Sequence, residues 1–189
     1  MNEGGTGPLL ANKAMHDHFQ LFGLSQSFAL DVEALERAYR DIQSRVHPDR
    51  YARAGDAERR ASMQWATRVN EAYRTLRNPV TRAKHLLELH GVDVAFETNT
   101  AMPADFLMEQ MELREELSEL RGQSDPLAAT GVFIARVRRR VDELVARLGE
   151  RFAADALDAA VALVRELQFL RKLQLEAENL EAELEDELL

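Results

Sequence analysis

From residue 32 almost to the C-terminus, outside residues 92–103, the apolar residues recur at the three- and four-residue spacings of a helix, and that pattern confines the chain to a fold built of helices. Val32, Leu35, Tyr39, Ile42 and Val46 make the first such stripe. Ala61, Trp65, Val69, Ala72, Tyr73 and Leu76 make the second. A helix of 3.6 residues per turn lays such residues along one side, whereas a half-buried strand needs strict alternation, which appears nowhere. The expected class is all-α.

Turn residues divide the helices. A short apolar segment, Phe19 to Leu24, predicts one or two helical turns. Asp31 is placed to cap the next helix, with Leu30 and Leu35 as a hydrophobic staple. Pro48 stops that helix, because proline disfavours helical geometry in the residue before it. A loop from His47 to Gly55 follows, and Asp56 is the expected cap of the next helix. Two long amphipathic helices joined by a short loop predict an antiparallel hairpin. Asn78-Pro79 breaks the chain again, before a short helix from Val80 to Leu89 that ends at Gly91.

Residues 92–103 read as a linker, with Asn99, Thr100 and Pro103 and no periodicity. Three more helices are expected at roughly 104–121, 126–149 and 154–186, broken by Gly122-Gln123-Ser124-Asp125-Pro126 and around Gly149. Short connections make them an antiparallel three-helix bundle. The last helix carries Leu163, Leu170, Ala177 and Leu184 at seven-residue intervals, with Leu173 and Leu180 between, as a coiled-coil-like seam requires. The organisation expected is a tail at 1–15, a helical unit at 16–91, the linker, and a second unit at 104–189.

Charge separates the same two parts. The net charge of -9 divides into 13 Lys+Arg against 11 Asp+Glu in residues 1–91 and 11 against 22 in residues 92–189. The acidic half argues against nucleic acid as a partner, since phosphates call for a basic face. There is no cysteine, which excludes disulfides, thiolate metal sites and cysteine nucleophiles. No apolar run approaches the roughly 18–20 residues that a membrane span needs. The first fifteen residues, with Gly4, Gly5, Gly7 and Pro8 and a single basic residue, resemble neither a secretory signal nor a transit peptide, and read as a flexible tail on a cytoplasmic protein.

The chemistry is concentrated between the two hairpin helices, at His47-Pro48-Asp49. Pro48 fixes its own backbone and restrains His47, and Arg37, Arg40 and Arg45 flank the loop from the outer side of the preceding helix. A compact polar feature set in positive charge suits docking on an acidic protein surface. A plain turn with a surface histidine fits the tripeptide as well. A catalytic His–Asp pair would need a nucleophile, metal or orienting group, and none converges on it.

Phe19 to Leu76 resembles a J-domain throughout: a short first helix, a second helix bearing arginines, the His-Pro-Asp loop, and a third helix ending Asn70-Glu71-Ala72-Tyr73-Arg74-Thr75-Leu76. The resemblance implies a co-chaperone, not an enzyme. By it, His47, Pro48 and Asp49 engage the ATPase of a DnaK/HscA-type chaperone, supported by the basic surface of Arg37, Arg40 and Arg45.

The helix at 104–121 has two faces when its residues are turned by 100° each. Phe106, Leu113, Leu117 and Leu120 cluster as core, with Gln110 among them, while Met108, Met111, Glu112, Glu115 and Glu119 fall opposite, with Leu107 at the border. Methionines recur on binding surfaces, and three glutamates beside them suit a protein with a basic edge. The pattern alone favours a plainer outcome, with Leu107 and Met111 packed inside the bundle and the glutamates solvating its surface. Phe169, on the flank of the last helix's stripe, fits either peripheral core or an interface anchor.

Phe106-Leu107-Met108-Glu109-Gln110-Met111-Glu112-Leu113-Arg114-Glu115-Glu116-Leu117 resembles the start of the C-terminal domain of the HscB family, the J-proteins of iron–sulfur cluster biogenesis. Thr81-Arg82-Ala83-Lys84-His85-Leu86-Leu87 is similar to that family's joint between its domains. The resemblance implies a J-domain packed on a C-terminal three-helix bundle that binds the scaffold protein IscU and presents it to the chaperone HscA. It implies a scaffold-binding patch of Leu107, Met108, Met111, Glu112, Glu115, Glu119 and Phe169. Without cysteine the chain looks like the plain bacterial form, with no resident metal or cofactor expected. Two rivals remain: a J-protein with another client, and a self-associating helical adaptor with no chaperone partner.

Other signals point to no site. His16-x-His18 beside a tail is a weak metal motif, and Gly4-Gly5-x-Gly7 lacks the strand that a dinucleotide fingerprint needs. Arg136, Arg138, Arg139 and Arg140 read as a solvated face compensating nearby acids.

Overall fold

The computed structural model describes residues 17–46, 55–92 and 104–188. The expected tail, the His47-Pro48-Asp49 loop, His16 and nearly all of the expected linker lie outside the described residues. Among the described residues there are helices and turns but no strand, so the all-α expectation holds. The chain divides into two units after Val92.

In the first unit, α1 (His18–Leu21) is a single turn capped by Asp17, whose Oδ1 accepts from the Phe19 amide at 2.8 Å. Phe19 is fully buried, and the turn closes through Gly23 at φ +65°, where the Leu24 amide reaches back to the Phe19 carbonyl. That six-to-one bond needs a left-handed residue, which glycine adopts at little cost.

Helices α2 (Val32–Val46) and α3 (Asp56–Arg77) form the expected antiparallel pair. The Tyr39 and Tyr73 rings stack at 4.0 Å, the Tyr39 hydroxyl donates to Asn70 Oδ1 at 2.9 Å, and Arg77 lies 3.8 Å from Glu36. Asp31 caps α2 as expected, its Oδ1 accepting from the Ala34 amide at 3.0 Å.

Two expectations fail here. Asp56 is the first helical residue rather than the cap; Gly55 holds the cap position without a side-chain bond, and Asp56 pairs with Arg59 at 2.6 Å. An acid in the first turn still complements the helix dipole. The apolar stripe is also displaced at its N-terminal ends. Ala61 is exposed, and Val32 and Trp65 are 42% and 40% exposed, whereas Ser62 is buried. Ser62 lies two turns before Val69, so the buried line runs Ser62, Val69, Ala72, Leu76, and Ala61 and Trp65 fall to its sides.

Asn78 caps α4 (Pro79–Leu89) through the Val80 amide at 2.9 Å, with Pro79 in the first turn, where its missing N–H costs nothing. Val80, Ala83, Leu86, Leu87 and Leu89 bury its apolar side, and Gly91 at φ +77° ends it.

The second unit consists of α5 (Ala104–Glu119) with a 3-10 turn at Leu120–Gly122, α6 (Pro126–Ala153) and α7 (Leu157–Asp186). Phe133, Ile134, Val137, Val141, Leu144 and Leu148 of α6 are buried, as are Leu163, Leu167, Leu170, Leu173, Ala177 and Leu184 of α7. The seven-residue seam is thus used within the chain. Helix α6 runs through Gly149, contrary to the expected break, to Ala153, and the chain turns away at Asp155 with φ +55°. A mid-helix glycine costs only about 1 kcal/mol against alanine. Buried Leu148 and half-buried Phe152 outweigh that cost and carry the helix onward.

Candidate functional site

On α2 the arginines expected to meet a chaperone are all exposed, and each is already paired with an acid one turn away or at the cap. Arg37 lies 3.5 Å from Glu33 and 3.8 Å from Asp31, Arg40 lies 3.9 Å from Glu36, and Arg45 lies 2.6 Å from Asp41. Exposed pairs of this kind are worth about 0–1 kcal/mol, so a partner carboxylate can displace them at small cost. The described part of this face is therefore less positive than its arginines alone suggest.

The Thr81–Leu87 segment lies on α4, whose polar residues turn partly inward. The Arg82 guanidinium sits 4.8 Å from the centre of the Phe28 ring and donates to the Leu76 carbonyl at 3.0 Å, at the C-terminal end of α3. Burial pushes its pKa below the usual arginine value. His85 is buried too; its Nε2 accepts from the His18 amide at 3.1 Å and its ring stacks on that of His18. This segment thus ties α1, α3 and α4 together.

In the second unit α5 is held by its flanks. Phe106 is buried, with its ring edge-on to Phe169 of α7 at 5.9 Å and 90°. On the other flank Glu109 pairs with Arg140 of α6 at 3.2 Å, and Glu116 pairs with Arg136. Arg138 bonds Glu178 of α7 at 2.7 Å, so three of the four clustered arginines compensate acids on neighbouring helices. The hydrogen bond from Arg138 holds the Glu178 carboxyl below its ordinary value, with help from Gln174. Glu166 is pushed upward by burial, which outweighs the opposing charges of Arg147 and Arg140.

What remains outward on α5 is the face in question. Leu107, Met108 and Met111 are 45%, 62% and 72% exposed, so the packing of Leu107 and Met111 inside the bundle, favoured by the pattern alone, does not occur. Glu112, Glu115 and Glu119 are exposed beside them. Phe169 is half-buried, touching Phe106 with its edge while Arg114 stands over its face, guanidinium 5.4 Å from the ring centre. The structure therefore brings all seven expected residues to one region, three methylene-rich side chains and an aromatic beside three carboxylates. Arg114 was not singled out from the sequence. Its signal is its place seven residues after Leu107 and three after Met111, on the same side of the helix.

A helical hairpin with a short preceding turn, followed by a helical bundle with an exposed apolar face, defines an all-α protein of J-domain and C-terminal bundle. The C-terminal domain of the HscB family, described as an oligomerisation domain, matches residues 102–178. A co-chaperone protein HscB homolog of Ralstonia nicotianae is 49% identical over 164 residues, 86% of this chain and 93% of that protein. Its counterpart in an Azoarcus species is 48% identical over 178 residues, covering 90% and 96%. Among solved structures, the chaperone HscB from Vibrio cholerae superposes with a TM-score of 0.80 at 38% identity, covering 89% of this chain and 99% of that one. Human co-chaperone HscB superposes at 0.79 with 29% identity, covering 86% and 80%. The chain belongs to the HscB family, the co-chaperones of iron–sulfur cluster biogenesis.

Proposed function

We propose that this chain binds the iron–sulfur scaffold IscU through the second unit, delivers it to the chaperone HscA in the cytoplasm, and stimulates ATP hydrolysis by HscA. The observation that carries the reading is the outward face of Leu107, Met108 and Met111 beside Phe169, an apolar centre next to Glu112, Glu115 and Glu119. An apolar patch with a charged border is the form of a protein-docking site. In this reading residues 16–91 are the J-domain and residues 104–189 the scaffold-binding domain. His47, Pro48 and Asp49 contact the chaperone, and Arg37, Arg40 and Arg45 guide the approach by exchanging their intrahelical acids for acids of the partner. The protein performs no chemistry of its own; the free energy comes from the ATP of the chaperone.

The test is to change Leu107, Met111 and Phe169 together to alanine and measure IscU binding by calorimetry. Affinity falls at least tenfold, about 1.4 kcal/mol, because the apolar centre of a small interface holds most of its binding energy. Stimulation of HscA without IscU stays normal. Undiminished binding would reject the site.

A further inference from the structure

We infer that Met108 and Met111 form a modification site: a peroxide converts their thioethers to sulfoxides, which closes the docking face until a thiol reductant restores them. This deepens the reading above and rests on it. The chain has no cysteine, so methionine carries all of its sulfur. Met108 and Met111 are the most exposed side chains of the apolar face, and their Sδ atoms are open to a small oxidant. They stand three residues apart on one side of α5, with Leu107 a turn before Met111. Met63 is nearly as exposed, at 57%, but it lies on α3 of the first unit, away from this face.

In the oxidation a lone pair of Sδ attacks one peroxide oxygen. The S–O bond forms as the O–O bond breaks, and sulfur gives up two electrons. The proton on the attacked oxygen passes to the other oxygen, which leaves as water. Reversal takes two thiols of an external reductant, which supply two electrons and two protons, become a disulfide, and release the oxygen as water. The sulfoxide oxygen is a polar acceptor that water satisfies while the face is open. A scaffold lying on the face strips that water away. The helical neighbours Leu107, Glu112 and Glu115 offer no side-chain donor in its place, since an ionised glutamate only accepts. An acceptor buried without a donor opposes binding, so the modified face holds scaffold weakly. By reciprocity, bound scaffold disfavours oxidation of the same two sulfurs.

The experiment treats the full chain with hydrogen peroxide, removes the peroxide with catalase, and measures IscU affinity by calorimetry. Peptide mass spectrometry reads the sulfoxide at each methionine. Affinity is expected to fall about tenfold with an unchanged melting point, and methionine sulfoxide reductase with a thiol restores it. Leucine keeps the volume of methionine without its sulfur, so a Met108→Leu, Met111→Leu double variant binds IscU equally before and after treatment. Met63→Leu loses affinity on treatment as the natural protein does. IscU present during treatment protects Met108 and Met111 while Met63 is oxidised. Undiminished affinity with both sulfurs oxidised would overturn the inference while leaving the docking site intact. So would a loss shared by the double leucine variant, or thioethers that persist at Met108 and Met111 while Met63 reacts. Normal binding by the untreated triple alanine variant would instead remove the site itself, and the inference with it.

Discussion

Arg82 carries a guanidinium into the interior of the first unit, and its surroundings show why it is kept there. One nitrogen closes the C-terminal end of α3 through the Leu76 carbonyl, the plane covers Phe28, and Nε has no hydrogen-bond partner among the described residues. Replacing Arg82 with alanine removes the packing of a long side chain and leaves a buried carbonyl without a donor. The expected cost is about 2–4 kcal/mol. Arg82→Met keeps the volume and loses only the polar contact, so it should cost less than half as much; urea unfolding of the two variants separates the terms. No pattern in the sequence marked this residue as interior, since periodicity counts arginine as polar. Ser62 and His85 escaped for the same reason, each buried behind a polar letter. The seven patch residues were only partly legible: methionines on a glutamate face ask for an explanation, but the pattern alone favoured packing inside the bundle and left Phe169 open, and the full set came from the resemblance to the HscB family.

Helices announced themselves where a side chain both starts and stops them. Asp31 caps and Gly91 ends α4 as read, while Asn78-Pro79, read only as a break, supplies the cap and the first turn of α4. Gly149 misled because a breaker letter is weighed locally, while the buried line through Leu148 toward Phe152 is a tertiary fact. The true end, after Ala153, uses at Asp155 the left-handed geometry that aspartate tolerates better than most residues. Between α6 and α7, Glu166 supplies a test at this scale. Burial raises its pKa, so its protonated form is favoured by folding. Its contribution to stability is full below the unfolded value and is lost as pH rises through the higher folded value. Glu166→Gln cannot lose a proton, so the melting point of the variant minus that of the natural protein should increase from pH 4 to pH 7. A difference that is flat or falls with pH would show that Arg140 and Arg147 fully offset the burial.

Across the whole molecule, charge and chemistry are divided between two covalently linked units. Residues 1–91 carry 13 basic against 11 acidic side chains and the His-Pro-Asp sequence, and residues 92–189 carry 11 against 22 and the exposed apolar face of Leu107, Met108 and Met111. If delivery is the function, the link between the units is part of the mechanism. Scaffold held by the second unit is kept at a high effective concentration near the chaperone held by the first. The decisive experiment mixes two defective proteins. On the proposed reading, His47→Gln removes the chaperone contact and leaves the scaffold face, while the Leu107, Met111 and Phe169 triple alanine variant does the reverse. His47→Gln alone should give no stimulation of HscA with or without IscU. The triple variant should give basal stimulation without the added increment due to IscU. Combined at equal concentration, they should restore none of that increment, because neither molecule carries both partners at once. Steady-state ATP hydrolysis measures all three cases. Recovery of the increment in the mixture would mean that the units act independently on the chaperone and that the covalent link contributes nothing to delivery.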